Sequence, residues 1–156
     1  MEKTMQNETI ESILKKAADK ENGSYLLYKN AAGHAKHVDI KTVLSELAEE
    51  ELKHKQAIED FNIENLKEQK IEIEEEHRHG ISDYLISTDE GLSEDSDFKD
   101  VLIYAAKREK KAFKFYSSMS KQVGDSELRK LFVWLAQEES KHKEDIEALF
   151  WEVMYS

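Results

Sequence analysis

Apolar residues recur along four stretches of the chain at i, i+3, i+4 and i+7, the spacing that gathers them on one face of an α-helix. The first carries Ile10, Ile13, Leu14 and Ala17, with Asn7 or Thr9 placed to cap its start. Its stripe continues through Glu21 to Tyr28, so a carboxylate points where the core should be. Gly23 lies inside the same stretch at a cost of about 1 kcal/mol relative to alanine, which calls for a bend or a close backbone approach. The second stretch starts near residues 37–39 and carries Ile40, Val43, Leu44, Leu47, Ala48, Glu51, His54 and Ile58. Phe98, Val101, Leu102, Ala105, Glu109, Phe113 and Tyr116 mark the third. Leu128, Leu131, Phe132, Leu135, Ala136, Glu139, His142, Ile146 and Leu149 mark the fourth. Gly124 suits the C-terminal cap of the third helix and Asp125 the N-cap of the fourth. The predicted helices span residues 9–34, 38–61, 97–123 and 126–154.

Between residues 62 and 96 the periodicity is lost. The segment is acidic from 70 to 79, Gly80 and Gly91 mark breaks, and residues 81–86 predict one short helix. Helix connections in bundles usually need about 2 to 8 residues, so this one has a longer way to go. A helix of about 25 residues is roughly 37 Å long, and a connector returning along it needs at least about ten extended residues. The expected architecture is therefore an all-α four-helix bundle, one domain over residues 1–156. Two antiparallel hairpins are joined by a single long crossover. The last helix ends in an apolar tail, Phe150 to Tyr155, that the second helix lacks. Such a tail either covers the bundle end or meets another subunit, and a homodimer is the expectation drawn from it.

The polar interruptions of the stripes form a repeat. Leu-Ala-Glu-Glu-Glu-Leu-Lys-His (47–54) returns as Leu-Ala-Gln-Glu-Glu-Ser-Lys-His (135–142). Ala17-Ala18-x-x-Glu21 with Tyr28 returns as Ala105-Ala106-x-x-Glu109 with Tyr116. The offset is constant: 109−21, 116−28, 139−51 and 142−54 all equal 88. If the stripes pack together, four carboxylates and two imidazoles meet in one core. Four buried carboxylates cannot all stay ionised without a counter-charge, and two divalent metal ions supply +4 against −4. Residues i and i+3 lie about 60° apart around a helix, so Glu51 with His54, and Glu139 with His142, can each reach one ion. Glu21 and Glu109 complete the two shells. Glu50 and Glu138, at i−4 from the histidines, are the competing ligands, but they fall off the stripes. The bland alternative pairs Glu51 with Lys55, Glu139 with Lys143 and Glu49 with Lys53, as on any solvated helix. That alternative leaves six residues on four apolar stripes at one offset without a cause. His34, His37, His77 and His79 lie outside the stripes and read as surface groups. Tyr28 and Tyr116 read as neighbours of the site with hydroxyls on ligand carboxylates, or as ordinary core tyrosines.

Composition narrows the chemistry. There is no cysteine, which excludes disulfides, thiolate-bound zinc and iron–sulfur clusters. Oxygen donors with one imidazole per ion suit iron or manganese. A net charge of −11 argues against nucleic acid or an anionic membrane as partner. No apolar run approaches the roughly 18 residues of a spanning helix, and the start lacks a signal-peptide core, so a cytoplasmic location is expected.

One Glu on each of two helices and Glu-x-x-His on each of the other two resembles the ferritin-like di-iron carboxylate proteins, and within them the rubrerythrin family. The resemblance covers essentially the four helices. It implies two iron ions, or manganese as the alternative, held by Glu21, Glu51, His54, Glu109, Glu139 and His142, with Tyr28 and Tyr116 beside them. It further implies reduction of hydrogen peroxide or dioxygen. Rubrerythrins usually feed electrons in from a Cys-bound iron domain; with no cysteine here, an external electron-donor protein is expected. They also place an extra Glu three residues after the third-helix ligand, where this chain has Ala112, and that departure counts against peroxidase turnover. The alternatives are a ferroxidase or iron-binding protein, a di-manganese catalase-like enzyme, and a metal-free helical interaction module.

Overall fold

The computed structural model describes residues 8–66, 68–85 and 97–155. Five helices follow one another: α1 (Ile10–His34), α2 (Val38–Asp60), α3 (Glu75–Leu85), α4 (Phe98–Gln122) and α5 (Ser126–Met154). Short side chains fix three of the starts. The Thr9 hydroxyl accepts from the Ser12 amide at 3.1 Å, Asp97 and Asp100 close a capping box on α4, and Asp125 accepts from the Leu128 amide. His37, at the start of α2, makes no such bond. Asn7 lies outside the described residues. Gly124 is not the left-handed cap its position suggested: Val123, in extended conformation, closes α4, and no described glycine has a positive φ.

The α1–α2 and α4–α5 hairpins pack as a four-helix, ferritin-like bundle, with α3 laid mainly against α4. Two apolar clusters fill the bundle on either side of a polar layer. The larger gathers Ile13, Phe115, Met119, Leu128 and Phe132, and the smaller Ala31, Leu44, Leu102, Ile146 and Leu149. The crossover is more structured than its composition suggested. Ile71 and Ile73 are buried, and an isolated bridge ties Thr9 to Lys70. Burying two alternate apolar side chains anchors the return path against the larger cluster. Gly80 does not break this segment but sits within α3, with Gly91 outside the described residues. His77 is not a free surface group, since its Nδ1 lies 3.2 Å from Ser118 Oγ.

Phe113 also departs from expectation. It is 38% exposed, while Ala112, Phe115, Tyr116 and Met119 face inward. Three residues after Glu109 the helix has turned to the core side, and four residues after it has turned out. At the far end of α5, Phe150 and Val153 pack partly on the smaller cluster, whereas Trp151 and Tyr155 stack on each other in solvent. No helix among the described residues is long and apolar enough to cross a membrane.

Candidate metal centre

The polar layer comes from one position on each long helix, plus one histidine a turn further along α2 and α5. Glu21 (α1), Glu51 and His54 (α2), Glu109 (α4), and Glu139 and His142 (α5) are all at most 1% exposed. Each lies on the apolar stripe of its helix, so packing the stripes delivers all six to one point. Glu21 Oε1 lies 3.0 Å from His54 Nδ1, and Glu109 Oε2 lies 3.4 Å from His142 Nδ1. Glu51 and Glu139 sit between. Glu139 Oε1 is 3.1 Å from His54 Nδ1 and 3.2 Å from His142 Nδ1, while Glu51 Oε1 is 2.7 Å from His142 Nδ1 and 3.7 Å from His54 Nδ1. Both imidazoles thus turn Nδ1 towards the carboxylates, and the rings stack with centroids 5.1 Å apart.

The outer nitrogens face the residues that competed for the ligand role. His142 Nε2 lies 3.2 Å from Glu50 Oε1, and His54 Nε2 lies 3.6 Å from Glu138 Oε1. Glu50 is therefore placed to orient the His142 ring from behind, across the hairpins, whereas His54 Nε2 is buried without a hydrogen-bond partner, Glu138 lying beyond bonding distance. The surface-pair alternative fails in its own terms: Lys55 donates to Asn22 and Lys143 to Glu147, leaving Glu51 and Glu139 inside.

Tyrosine hydroxyls hold the outer glutamates. Tyr28 donates to Glu109 Oε1 at 2.9 Å and Tyr116 to Glu21 Oε2 at 3.0 Å, so each reaches across to the other hairpin. A third phenol, Tyr84 on α3, also donates to Glu21 Oε2 at 3.0 Å. Sequence reasoning missed it, because it lies in the connector and outside the repeat. It missed Arg108 too, which is buried, donates to Ser24 Oγ at 2.8 Å and to the Lys20 carbonyl at 2.9 Å, and lies against Gly23. That contact settles the glycine's role as a close approach. Trp134 and His54 meet nearly perpendicular, with ring centroids 5.2 Å apart, a contact that was likewise unsuspected.

Electrostatics follow from the crowding. Burial first, then repulsion from Glu139, Glu21 and Glu109 on Glu51 and from Glu109 and Glu21 on Glu139, pushes these two carboxyls well above the usual carboxylate range. Burial raises Glu109 as well, against the lowering effect of His142. Burial works against charge on His54 and His142. The nearby carboxylates together outweigh it, Glu21 foremost with Glu51 for the first and Glu109, Glu139 and Glu51 for the second, so both are raised. Tyr28, Tyr84 and Tyr116 are raised well above 10.0 by burial and by the carboxylates, which keeps them neutral donors.

A cationic group fits this layer. Glu51 Oε2, Glu109 Oε2 and both oxygens of Glu139 are buried without a hydrogen-bond partner. Native proteins rarely leave such atoms orphaned, and here four of them converge. Glu51, His54, Glu139 and His142 offer ligand atoms within 4.8 Å of one another, a group that can hold a metal ion. Oxygen and imidazole donors without thiolate suit iron, manganese or a similar divalent ion.

The family model described as Rubrerythrin matches residues 12–150. A hypothetical protein from Pyrococcus furiosus superposes with a TM-score of 0.71 at 22% identity, covering 94% of this chain and 91% of its own. A Thermotoga maritima protein described as ferritin-like diiron-carboxylate superposes with a TM-score of 0.71 at 18% identity, covering 95% and 98%. No curated protein matches the chain.

Proposed function

The chain belongs to the rubrerythrin family, and from that premise we propose that it is a di-iron protein that reduces hydrogen peroxide or dioxygen with electrons from an external donor. The observation that carries this reading is the convergence of four orphaned carboxylate oxygens and two imidazole Nδ1 atoms in a layer closed by apolar residues. Glu21 with His54 would hold one ion and Glu109 with His142 the other, with Glu51 and Glu139 shared. The iron pair would supply two electrons, one per ion, for a peroxide that takes up two protons and leaves as two waters.

The rest of the work falls to the protein. Glu50, bonded to the outer nitrogen of His142, would keep a proton on its Nε2 and so leave Nδ1 free to bind. Tyr28 and Tyr116 hold Glu109 and Glu21 from across the bundle, which fixes the span between the two positions. The apolar clusters on either side exclude water and limit side reactions. Ala112 is buried among these apolar groups, so no further carboxylate is available there for ligand exchange. This favours a single, fixed set of six ligands during turnover.

Elemental analysis after anaerobic loading tests the proposal. The expected result is about two iron ions per chain, lost together in Glu51→Ala or Glu139→Ala, with the loaded protein consuming peroxide when a reductant is supplied. Unchanged metal content in both variants overturns the site. Manganese in place of iron, with peroxide disproportionated without reductant, replaces the di-iron reading by the di-manganese one. Oxidation of added ferrous iron without peroxide turnover replaces it by a ferroxidase.

A further inference from the structure

The two halves of the centre derive from one repeat but are held unequally, and the difference enters from outside the repeat. Glu21 Oε2 accepts two phenols, Tyr116 and Tyr84, each at 3.0 Å, while its Oε1 faces His54 Nδ1 at 3.0 Å. Glu109 accepts one phenol, Tyr28, on Oε1, and its Oε2 faces His142 Nδ1 at the longer distance of 3.4 Å without a hydrogen bond. The backbone around Glu21 is pinned as well, because Arg108 donates to Ser24 Oγ and to the Lys20 carbonyl, on either side of it. At the repeat offset of 88, Ser24 corresponds to Ala112, which has no hydroxyl, and Arg108 to Lys20, which has no guanidinium fork. Tyr84 has no counterpart at all, since it belongs to the connector helix α3.

We propose that Tyr84 is a positioning residue that fixes Glu21 as a one-oxygen ligand and so makes the two metal positions unequal. The Glu21–His54 position is preformed and fills first; the Glu109–His142 position fills second, through a carboxylate with one oxygen still free to turn. This rests on the metal-binding reading above. A carboxylate already locked by two donors loses little orientational freedom when it binds, whereas one held at a single oxygen must still be ordered. Partners behind a metal ligand are commonly worth about 10–100-fold in affinity, which sets the scale of the effect.

The test is an anaerobic titration of the metal-free full chain with Co²⁺ alone, followed by visible absorption and calorimetry. Wild type is expected to take up two ions in two resolved steps about tenfold or more apart. Tyr84→Phe keeps the ring against Phe115 and Tyr116 and removes only the hydroxyl. It is expected to weaken the first step by about tenfold and to leave the second within about twofold. Tyr28→Phe is expected to weaken the second step alone. A general loss of packing would move both steps together. Tyr84→Phe leaving both steps unchanged, or weakening both equally, overturns the inference while the metal site stands. Should Tyr84→Phe fail to fold, Tyr28→Phe decides: weakening of the first step, or of both, overturns it. Wild type that binds no cobalt overturns the metal reading, and the inference falls with it.

Discussion

Replacing Gly23 by alanine should destabilise this protein, although alanine is the better helix former. On propensity alone the change stabilises α1 by about 1 kcal/mol. An added Cβ, however, would lie 2.5 Å from Arg108 Nη2 and 3.5 Å from its Cζ. The guanidinium cannot swing aside freely, because it is 8% exposed and is held by Ser24 Oγ and the Lys20 carbonyl. Displacing it breaks up to two hydrogen bonds from a buried charge, each worth about 1.5–3 kcal/mol. The loss exceeds the gain by about 2 kcal/mol or more, equivalent to a Tm lower by about 4–8 °C for a chain of this size. In an Arg108→Ala background the obstacle is gone, and the same Gly23→Ala change should stabilise by up to about 1 kcal/mol. Urea unfolding of the four metal-free proteins, followed by far-UV circular dichroism, closes the cycle. A stabilising Gly23→Ala in wild type, or an equal effect in both backgrounds, would refute the argument that Arg108 occupies the space a side chain needs.

Two further outcomes follow from burial. The Glu51, Glu109 and Glu139 carboxyls and both site histidines are raised in the folded chain, so folding favours their protonated forms. Their contribution is complete below the unfolded carboxyl value of about 4.3 and is lost as pH rises through the folded values. The metal-free protein should therefore lose Tm between about pH 5 and 8, and Glu139→Gln should lose less; a Tm that rises equally in both over that range contradicts the assignment. Phe115, fully buried between Tyr84 and Tyr116, should cost about 3–5 kcal/mol on Phe115→Ala, read as a lower urea midpoint; a change under about 1 kcal/mol would mean that the wall behind Glu21 is not packed as described.

The convergence of the six polar residues was legible in the sequence because they obey two rules at once, a place on an apolar stripe and a constant offset. Either rule alone would have admitted Glu50 and Glu138 or left the matter to chance. What the spacing could not give was direction. That Nδ1 faces inward, and that His142 Nε2 meets Glu50 of the other hairpin, depends on rotamers and on how the hairpins are juxtaposed. Tyr84 and Arg108 stayed hidden for a different reason. One sits in a connector without periodicity, and the other is a cation on a helix rich in lysine, where burial is not readable locally. Gly23 was flagged as costly, but its partner lay 85 residues away, 108−23. Phe113 was misplaced because i+4 and i+3 from Glu109 straddle the stripe, and only packing decides which one turns in.

The crossed tyrosines have a consequence for how such a molecule can be divided. Tyr28 serves Glu109 and Tyr116 serves Glu21, while His142 meets Glu51 and His54 meets Glu139. Neither hairpin contains a finished centre, yet each contains one copy of everything the centre needs. A chain of one hairpin, joined to its own copy about a two-fold axis, would present all six residues of the polar layer and both crossed phenols. Its two halves would be identical, since symmetry forbids any other outcome. Covalent fusion through the connector removes that constraint, and Tyr84 is the place in this chain where the freedom to be asymmetric is used.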